Sequence, residues 1–401
     1  MTTSRPSSML TWHQARSVAM TSGRALPSIS ALISEAGGAI LARDLLRLQD
    51  DPPSDCATNE GFAICGPGPW FEATSDRLQP GAFQELLKGD PLPQHTDAVL
   101  AAHRSELRTA NDGTRVLIAT DELTGVIDED VRPALGSGIT RQAAHARIGS
   151  VLVPAGRMVG PGILALAAAL GHDTLPVVQP PRVGTFVLGH SLLAHGLPRA
   201  GRRRDALGDS VAYFAGLHGA RSHPPVRAPD STHQLMESID DAQVDVLIII
   251  GEYSDTHINS LRQVISDLGA RWLLDGVAMS PGEHTLLAKL PDGRFIVGLS
   301  GYAEAAIAGL VTIVEPLLRS LAGSVPRNPI QAVLVDDIPA DPHVGLTRLI
   351  PVLLETSGQH VIARGLPKEM RNLHAIANAD GAAVLSPDIH GSGQSVPVLA
   401  I

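Results

Sequence analysis

The sequence predicts a multi-domain α/β protein in which a doubly wound sheet is flanked by β-rich modules. Three observations carry that reading. Over 182–321 apolar strands alternate with amphipathic helices, and each strand runs into a glycine, the pattern of parallel βαβ units with helices on both faces. Over 55–145 short β-prone runs alternate with turn residues such as Gly66-Pro67-Gly68-Pro69 and Asn111-Asp112-Gly113. The chain has 401 residues, 44% of them apolar, enough to bury several cores and too apolar for global disorder.

The elements follow in chain order. Trp12 to Arg47 reads as helical from its apolar spacing, with an interruption at Gly37-Gly38, and Asp50 to Pro53 ends it because Asp-Asp-Pro-Pro cannot continue a helix. Phe62 to Cys65, Ala98 to Ala101 and Arg115 to Ala119 read as strands of a β module inserted after it. Val151 to Gly171 reads as helical again, closing at Gly171, and Pro176 to Pro181 reads as a linker. Next come a strand at Arg182 to Leu188, a helix at Ser210 to His218, a strand at Val244 to Ile250 and a helix at Ile258 to Leu268. A strand at Arg294 to Leu299 and a helix from about Ala303 to Leu321 complete the block. Ligands of such sheets sit outside the carboxyl ends of the strands, which singles out the loops Gly189 to His195, Gly251 to His257 and Ser300 to Ala303. Ala332 to Val335, Thr347 to Leu354, Gly381 to Leu385 and Val396 to Ile401 read as strands of a last β-rich module. The expected domains are 9–50 with 146–178, 51–145, 179–325 and 326–401.

Composition excludes several classes of function. Acidic residues outnumber basic ones 41 to 31, which argues against a nucleic-acid partner, since such proteins carry a basic stripe or patch. Cys56 and Cys65 are the only cysteines, too few for a disulfide framework or a four-cysteine zinc site. The longest apolar stretches, near Gly162 to Gly171 and Ala305 to Val314, fall short of a membrane span. Met1 to Ser8 lacks an apolar signal core, so a cytoplasmic location is expected. No P-loop, nucleophile elbow, H-E-x-x-H or complete G-x-G-x-x-G occurs. His190 and His195 are five apart, which is not a helix-face spacing, and no metal site is expected there. Arg202-Arg203-Arg204 reads as a solvated loop before it reads as a phosphate cradle.

Seven short pieces, in order, resemble one family over nearly the whole chain. Asp55-Cys56-Ala57-Thr58-Asn59-Glu60-Gly61-Phe62-Ala63 is similar to D-N-S-A-M-D-G-Y-A. Lys88-Gly89-Asp90-Pro91-Leu92-Pro93, with Asp97-Ala98-Val99, is similar to T-G-A-x-x-P and its following strand. Arg182 to Leu193 stands where a strand ends in T-G-D-E-L, and Asp245 to Glu252 where one runs into T-S-G-G. Val277-Ala278-Met279-Ser280-Pro281-Gly282-Glu283 resembles V-x-M-K-P-G-K, and Gly298-Leu299-Ser300-Gly301-Tyr302-Ala303 resembles G-L-P-G-N-P. Ala377 to Leu385 resembles the family's A-x-A-D/N-G end strand. The family is that of the molybdopterin molybdotransferases, bacterial MoeA and the E domain of gephyrin.

The resemblance implies an elongated, homodimeric, multi-domain fold. Its activity would be insertion of molybdate into adenylylated molybdopterin, with molybdopterin-AMP and molybdate as ligands and magnesium as an accompanying ion. By position in the family motifs, Glu60 and Asp255 are the expected catalytic residues. Gly251, Glu252, Ser254, Ser280, Gly282, Ser300 and Gly301 are expected to hold the ligand. Each of Glu60, Ser254, Asp255 and Glu283 reads equally as a solvated loop residue. The departures fall where an anion would bind. Ser280 and Glu283 replace two lysines, and a unit charge about 4 Å away is worth on the order of 4 kcal/mol at an effective dielectric near 20, before desolvation and salt screening. The insertion chemistry is therefore expected to be weakened or lost unless Arg182, Arg271 or the Arg202 cluster supplies the missing cation. The alternative is a catalytically silent, gephyrin-like dimeric scaffold, needing no cofactor, that binds a peptide of a membrane receptor or cytoskeletal partner.

Overall fold

A computed structural model describes residues 9–120, 127, 133–189, 192–199, 201–228, 231–251, 255–324, 328–337, 345–358, 360–366, 373–389 and 391–401, with the backbone alone for 255–259. The chain divides into two compact units. One comprises Met1–Arg43, Ala155–Leu164 and Thr174–Ile401, the other Asp44–Pro154 and Ala165–Asp173.

The smaller unit is built on a six-stranded sheet in the order Ala98–Ala101, Gly61–Cys65, Ala82–Leu86, Trp70–Glu72, Arg115–Ala119, Ser105–Thr109. Pairing is antiparallel except between Trp70–Glu72 and Ala82–Leu86. Alternation along Gly61–Cys65 sends Phe62 and Ile64 into a core with Trp70, Phe83, Leu100 and Leu117, and Ala63 and Cys65 into a second core with Leu78, Leu86 and Val99. Phe62 and Phe83 meet edge to face at 5.5 Å. A Cβ on Gly61 would stand 2.1 Å from the Leu100 carbonyl oxygen, so the neighbouring strand admits only glycine at this position.

In the larger unit the helix Trp12–Ser22 is closed at its start by a capping box between Thr11 and Gln14. The sequence pattern predicts that it continues to Arg47, and it does not. A Cβ on Gly23 would stand 2.9 Å from Ser320 Oγ, the Leu26 N–H is taken by the Leu321 carbonyl at 2.8 Å, and Pro27 follows. Ser28–Leu32 then forms a strand antiparallel to Thr174–Val178, so the expected linker at Pro176 to Pro181 begins inside a strand. Val151–Val153, expected to be helical, pairs with Leu45–Leu46 in the smaller unit, and the predicted helix shortens to Pro161–Ala169.

The central sheet runs Arg221–Ser222, Arg182–Val187, Val246–Ile250, Phe295–Leu299, Leu286–Lys289, Arg271–Asp275. Its first four strands are parallel, as predicted. Leu286–Lys289 and Arg271–Asp275 add an antiparallel edge that the sequence reading leaves unassigned. The sheet is doubly wound. Val183, Val187, Ile248 and Val297 face Trp12, Val211, Ala215 and the helical run from Ala303, while Phe186, Leu247, Ile249 and Ile296 face Leu235, Ile239, Leu261 and Val264. The run from Ala303 to Leu321 is interrupted by one π-helical stretch, Leu310–Val314. There Trp12 Nε1 donates to Thr312 Oγ1 at 3.0 Å, and the Arg16 guanidinium donates to the Val311 carbonyl and pairs with Glu315.

The last module closes into a barrel of Thr347–Ser357, His360–Gly365, Ile330–Leu334, Ser395–Leu399 and Gly381–Leu385, because the first of these also pairs with the last. Ala332, Ile350, Val352, Ala363, Ala383 and Val396 fill it. His360–Gly365 is the strand that the sequence reading does not assign. The strand Val277–Ser280 pairs in parallel with Leu10–Thr11 on one side and Thr347–Arg348 on the other.

Candidate functional site

The carboxyl ends of the three inner parallel strands open onto one cleft. Its walls come from Val187, Leu188 and Leu192 after the first strand, Ile250 and Gly251 after the second, and Gly301 and Ala303 after the third. The strand ends are held together by Leu188 N–H on the Ile250 carbonyl and Gly251 N–H on the Leu299 carbonyl, both at 2.9 Å. Gly251 and Gly301, two of the expected ligand-holding positions, are thus brought to the same place. Ser300, half-buried beside them, accepts the Tyr302 N–H at 3.2 Å, a bond that shapes the turn into the helix.

Sequence reasoning did not single out Asp205, Leu207 and Leu373 and offered Arg204 only within the Arg202 cluster, and all four line the cleft. Arg203–Arg204 is a short strand paired in parallel with Leu192–Leu193. Asp205 Oδ1 accepts the N–H groups of Leu207 and Gly208, both at 3.0 Å, at the start of the helix Gly208–Leu217. A carboxylate shortly before a glycine-led helix is a readable capping signal. Nothing local distinguishes Arg204 from its arginine neighbours.

The other expected cations stand elsewhere. Arg182 and Arg271 each begin a strand, and those strands run in the same direction as Phe295–Leu299, so both lie at the amino-terminal edge of the sheet. Arg182 is also committed to Asp245 at 3.1 Å, which holds its guanidinium pKa above the ordinary value. Arg227, on a strand paired beside Phe186 and Val187, donates to the Gly189 carbonyl at 3.1 Å.

The turn after Val277–Ser280 packs on the helix that begins beside the cleft. A Cβ on Gly282 would meet Met279 Cε at 2.5 Å and Ala308 Cβ at 3.2 Å, and its φ of +112° is open to glycine. Glu283 Oε2 accepts the Gly282 N–H at 3.1 Å, and Thr285 Oγ1 donates to the Gly282 carbonyl at 2.8 Å. Ser280 is half-buried and opposes Arg348 across the parallel pair.

Glu60 belongs to the smaller unit, where it is exposed and its carbonyl accepts the Ala102 N–H at 3.2 Å. Nearby, Arg141 and the Gln142 N–H hold Asp55, the backbone bond contributing most to keeping its pKa below the ordinary 3.8. Asp255 begins the helix Asp255–Asp267, with its backbone alone described. Glu252 and Ser254 lie outside the described residues. Among the described residues no group of three or more His, Cys, Asp or Glu is gathered to hold a metal ion.

Comparison with known proteins bears on the family and the fold. Residues 10–171 match the family described as MoeA N-terminal region (domain I and II), and residues 184–320 match the probable molybdopterin binding domain. A Bacillus subtilis protein named molybdopterin molybdenumtransferase is 29% identical over 388 residues, covering 90% of this chain and 87% of its own length. A Staphylococcus aureus (strain Mu50) protein of the same name is 24% identical over 385 residues, covering 93% and 91%. A crystal structure of a molybdopterin biosynthesis MoeA protein from Pyrococcus horikoshii superposes with a TM-score of 0.75 at 22% identity, over 98% of this chain and 99% of that one. A molybdenum cofactor biosynthesis protein from Pyrococcus furiosus superposes with a TM-score of 0.57 at 15% identity.

Proposed function

Since this chain belongs to the MoeA family, we propose that it acts on molybdopterin in molybdenum-cofactor biosynthesis, with its molybdate-insertion step weakened. The reading takes molybdopterin-AMP and molybdate as its ligands and the cleft at the strand ends as the place where they dock. Glu60 and Asp255 are its reacting carboxylates. Gly251, Glu252, Ser254, Ser280, Gly282, Ser300 and Gly301 are its ligand-holding positions. Magnesium would need donors beyond those gathered among the described residues. The working form is a cytoplasmic homodimer, and the domains are those read from the sequence. Among the described residues no helix is long and apolar enough to cross a membrane.

The observation that carries the weakened step is the Glu283 carboxylate folded onto the Gly282 N–H at 3.1 Å. An anionic ligand needs cations and free amides. Here a carboxylate stands where the resembled motif has a lysine, and it takes up an amide of the same turn. The second reading, a silent scaffold for a peptide of a membrane receptor or cytoskeletal partner, is favoured by the same feature.

Complementation of a bacterial strain lacking its molybdopterin molybdotransferase, scored by nitrate reductase activity, tests both. The wild-type chain is expected to rescue weakly, and a chain carrying Ser280→Lys and Glu283→Lys to rescue roughly tenfold or more better, as even one discounted charge contact predicts. Full rescue by the wild type removes the weakened step. Failure of both chains, each folded and dimeric, favours the scaffold and directs the search to a peptide ligand.

A further inference from the structure

We infer that Arg204 is a cation that engages the anionic group of the ligand in the strand-end cleft, one charge where the resembled turn at 280–283 carries two, so that insertion is weakened rather than lost. The inference rests on the proposed molybdopterin reading and goes beyond it by naming the charge that the eroded motif lacks. Position is the first support. Arg204 lines the cleft beside Gly251 and Gly301, whereas Arg182 and Arg271 begin strands at the opposite edge of the sheet. Arg227 lies on a strand beside Phe186 and Val187 and donates from Nη1 to the Gly189 carbonyl at 3.1 Å, but it does not line the cleft.

Backbone anchoring is the second support. Arg204 pairs with Leu193, the following Asp205 N–H is held by the Leu193 carbonyl at 3.0 Å, and the Asp205 carboxylate clasps the first amides of the next helix. The Cα is therefore fixed from both sides while the side chain remains exposed. Strand alternation turns the exposed Arg203 to the opposite side from Arg204, and Arg204 is the arginine of the run that lines the cleft.

Surroundings are the third support. Val187, Leu188, Leu192, Ile250 and Leu207 give the cleft apolar walls, and a charge against such walls acts more strongly than one in open water. The carboxylate that shares the cleft, Asp205, is already engaged with two amides. A guanidinium presents parallel N–H groups that match a tetrahedral oxyanion, so the ligand chemistry is a phosphate or a molybdate dianion.

Binding of AMP and of molybdate to the full chain, measured separately by titration calorimetry, distinguishes those two sources. The variants are Arg204→Ala, Arg204→Lys and, as a control at the far edge of the sheet, Arg271→Ala. Arg204→Ala is expected to weaken binding roughly tenfold or more and to flatten the salt dependence, with Arg204→Lys in between and Arg271→Ala at the wild-type value. A loss confined to the AMP arm assigns the guanidinium to the phosphate, and a loss confined to the molybdate arm assigns it to the metal oxyanion. Wild-type affinity of Arg204→Ala in both arms overturns the inference and leaves the molybdopterin reading standing. Failure of the wild-type chain to bind either probe overturns both.

Discussion

At the scale of single residues, a side chain's work here is set by its place on a strand or turn. Asp55 shows this most simply. The Gln142 N–H and the Arg141 guanidinium favour its charged form, so its folded pKa lies below the ordinary 3.8. A carboxylate whose pKa falls on folding contributes stability above its unfolded pKa and loses it as pH drops through the folded value. Asp55→Asn should therefore lower the urea midpoint at neutral pH, and the gap from wild type should close below about pH 4. A gap of constant size down to the lowest pH would show that the charge is not responsible. The pair is more than a third exposed on the arginine side, so the loss should be within about 1 kcal/mol.

At the scale of elements, the helical run from Ala303 depends on the N-terminal helix across its π-helical stretch. Such a stretch shifts the hydrogen-bond register, and Arg16 from the helix Trp12–Ser22 reaches the Val311 carbonyl there. The same guanidinium lies 3.0 Å from Glu315, which Arg319 holds at 2.9 Å from the other side. Glu315 is 7% exposed, so removing one partner leaves a nearly buried carboxylate with half its compensation. Arg16→Ala should cost about 1–3 kcal/mol, read as a drop in thermal midpoint. Arg16→Ala combined with Glu315→Gln should cost less than the sum of the two single changes, because both break one network. Strict additivity would contradict that coupling.

At the scale of the whole molecule, each of the two compact units has cores of its own. Separate cores favour separate cooperative transitions, so calorimetry should resolve two rather than one. Phe83→Ala should lower the transition of the smaller unit by about 3–5 kcal/mol of local stability and leave the other in place. Val297→Ala should do the reverse. A single transition whose calorimetric and van't Hoff enthalpies agree would show that the units unfold together.

Much of the molecule is legible in the order of its residues. Runs such as Val246–Ile250, followed by a glycine and an amphipathic helix, carry their own period and announce a parallel, doubly wound sheet without reference to distant residues. The glycines of the family-like motifs are equally local signals, and at Gly61 and Gly282 the structure supplies the reason, a close backbone or side-chain approach that leaves no room for a Cβ. What local pattern cannot contain is pairing at a distance. Trp12 to Arg47 reads as a helix by its spacing, yet Ser28–Leu32 becomes a strand because Thr174–Val178 arrives to bond it. The strand-end cleft is legible as a place but not as a charge. Arg182, Arg271 and Arg204 are equivalent as letters, and only the direction of the strands puts two at the far edge and one on the cleft. By itself the sequence determined the family, the elements with a strong period and the turns that need glycine, because these are encoded in neighbouring residues. The tertiary structure alone decided which segments became strands by finding partners and which charges meet, because those outcomes depend on contacts between residues far apart in the chain.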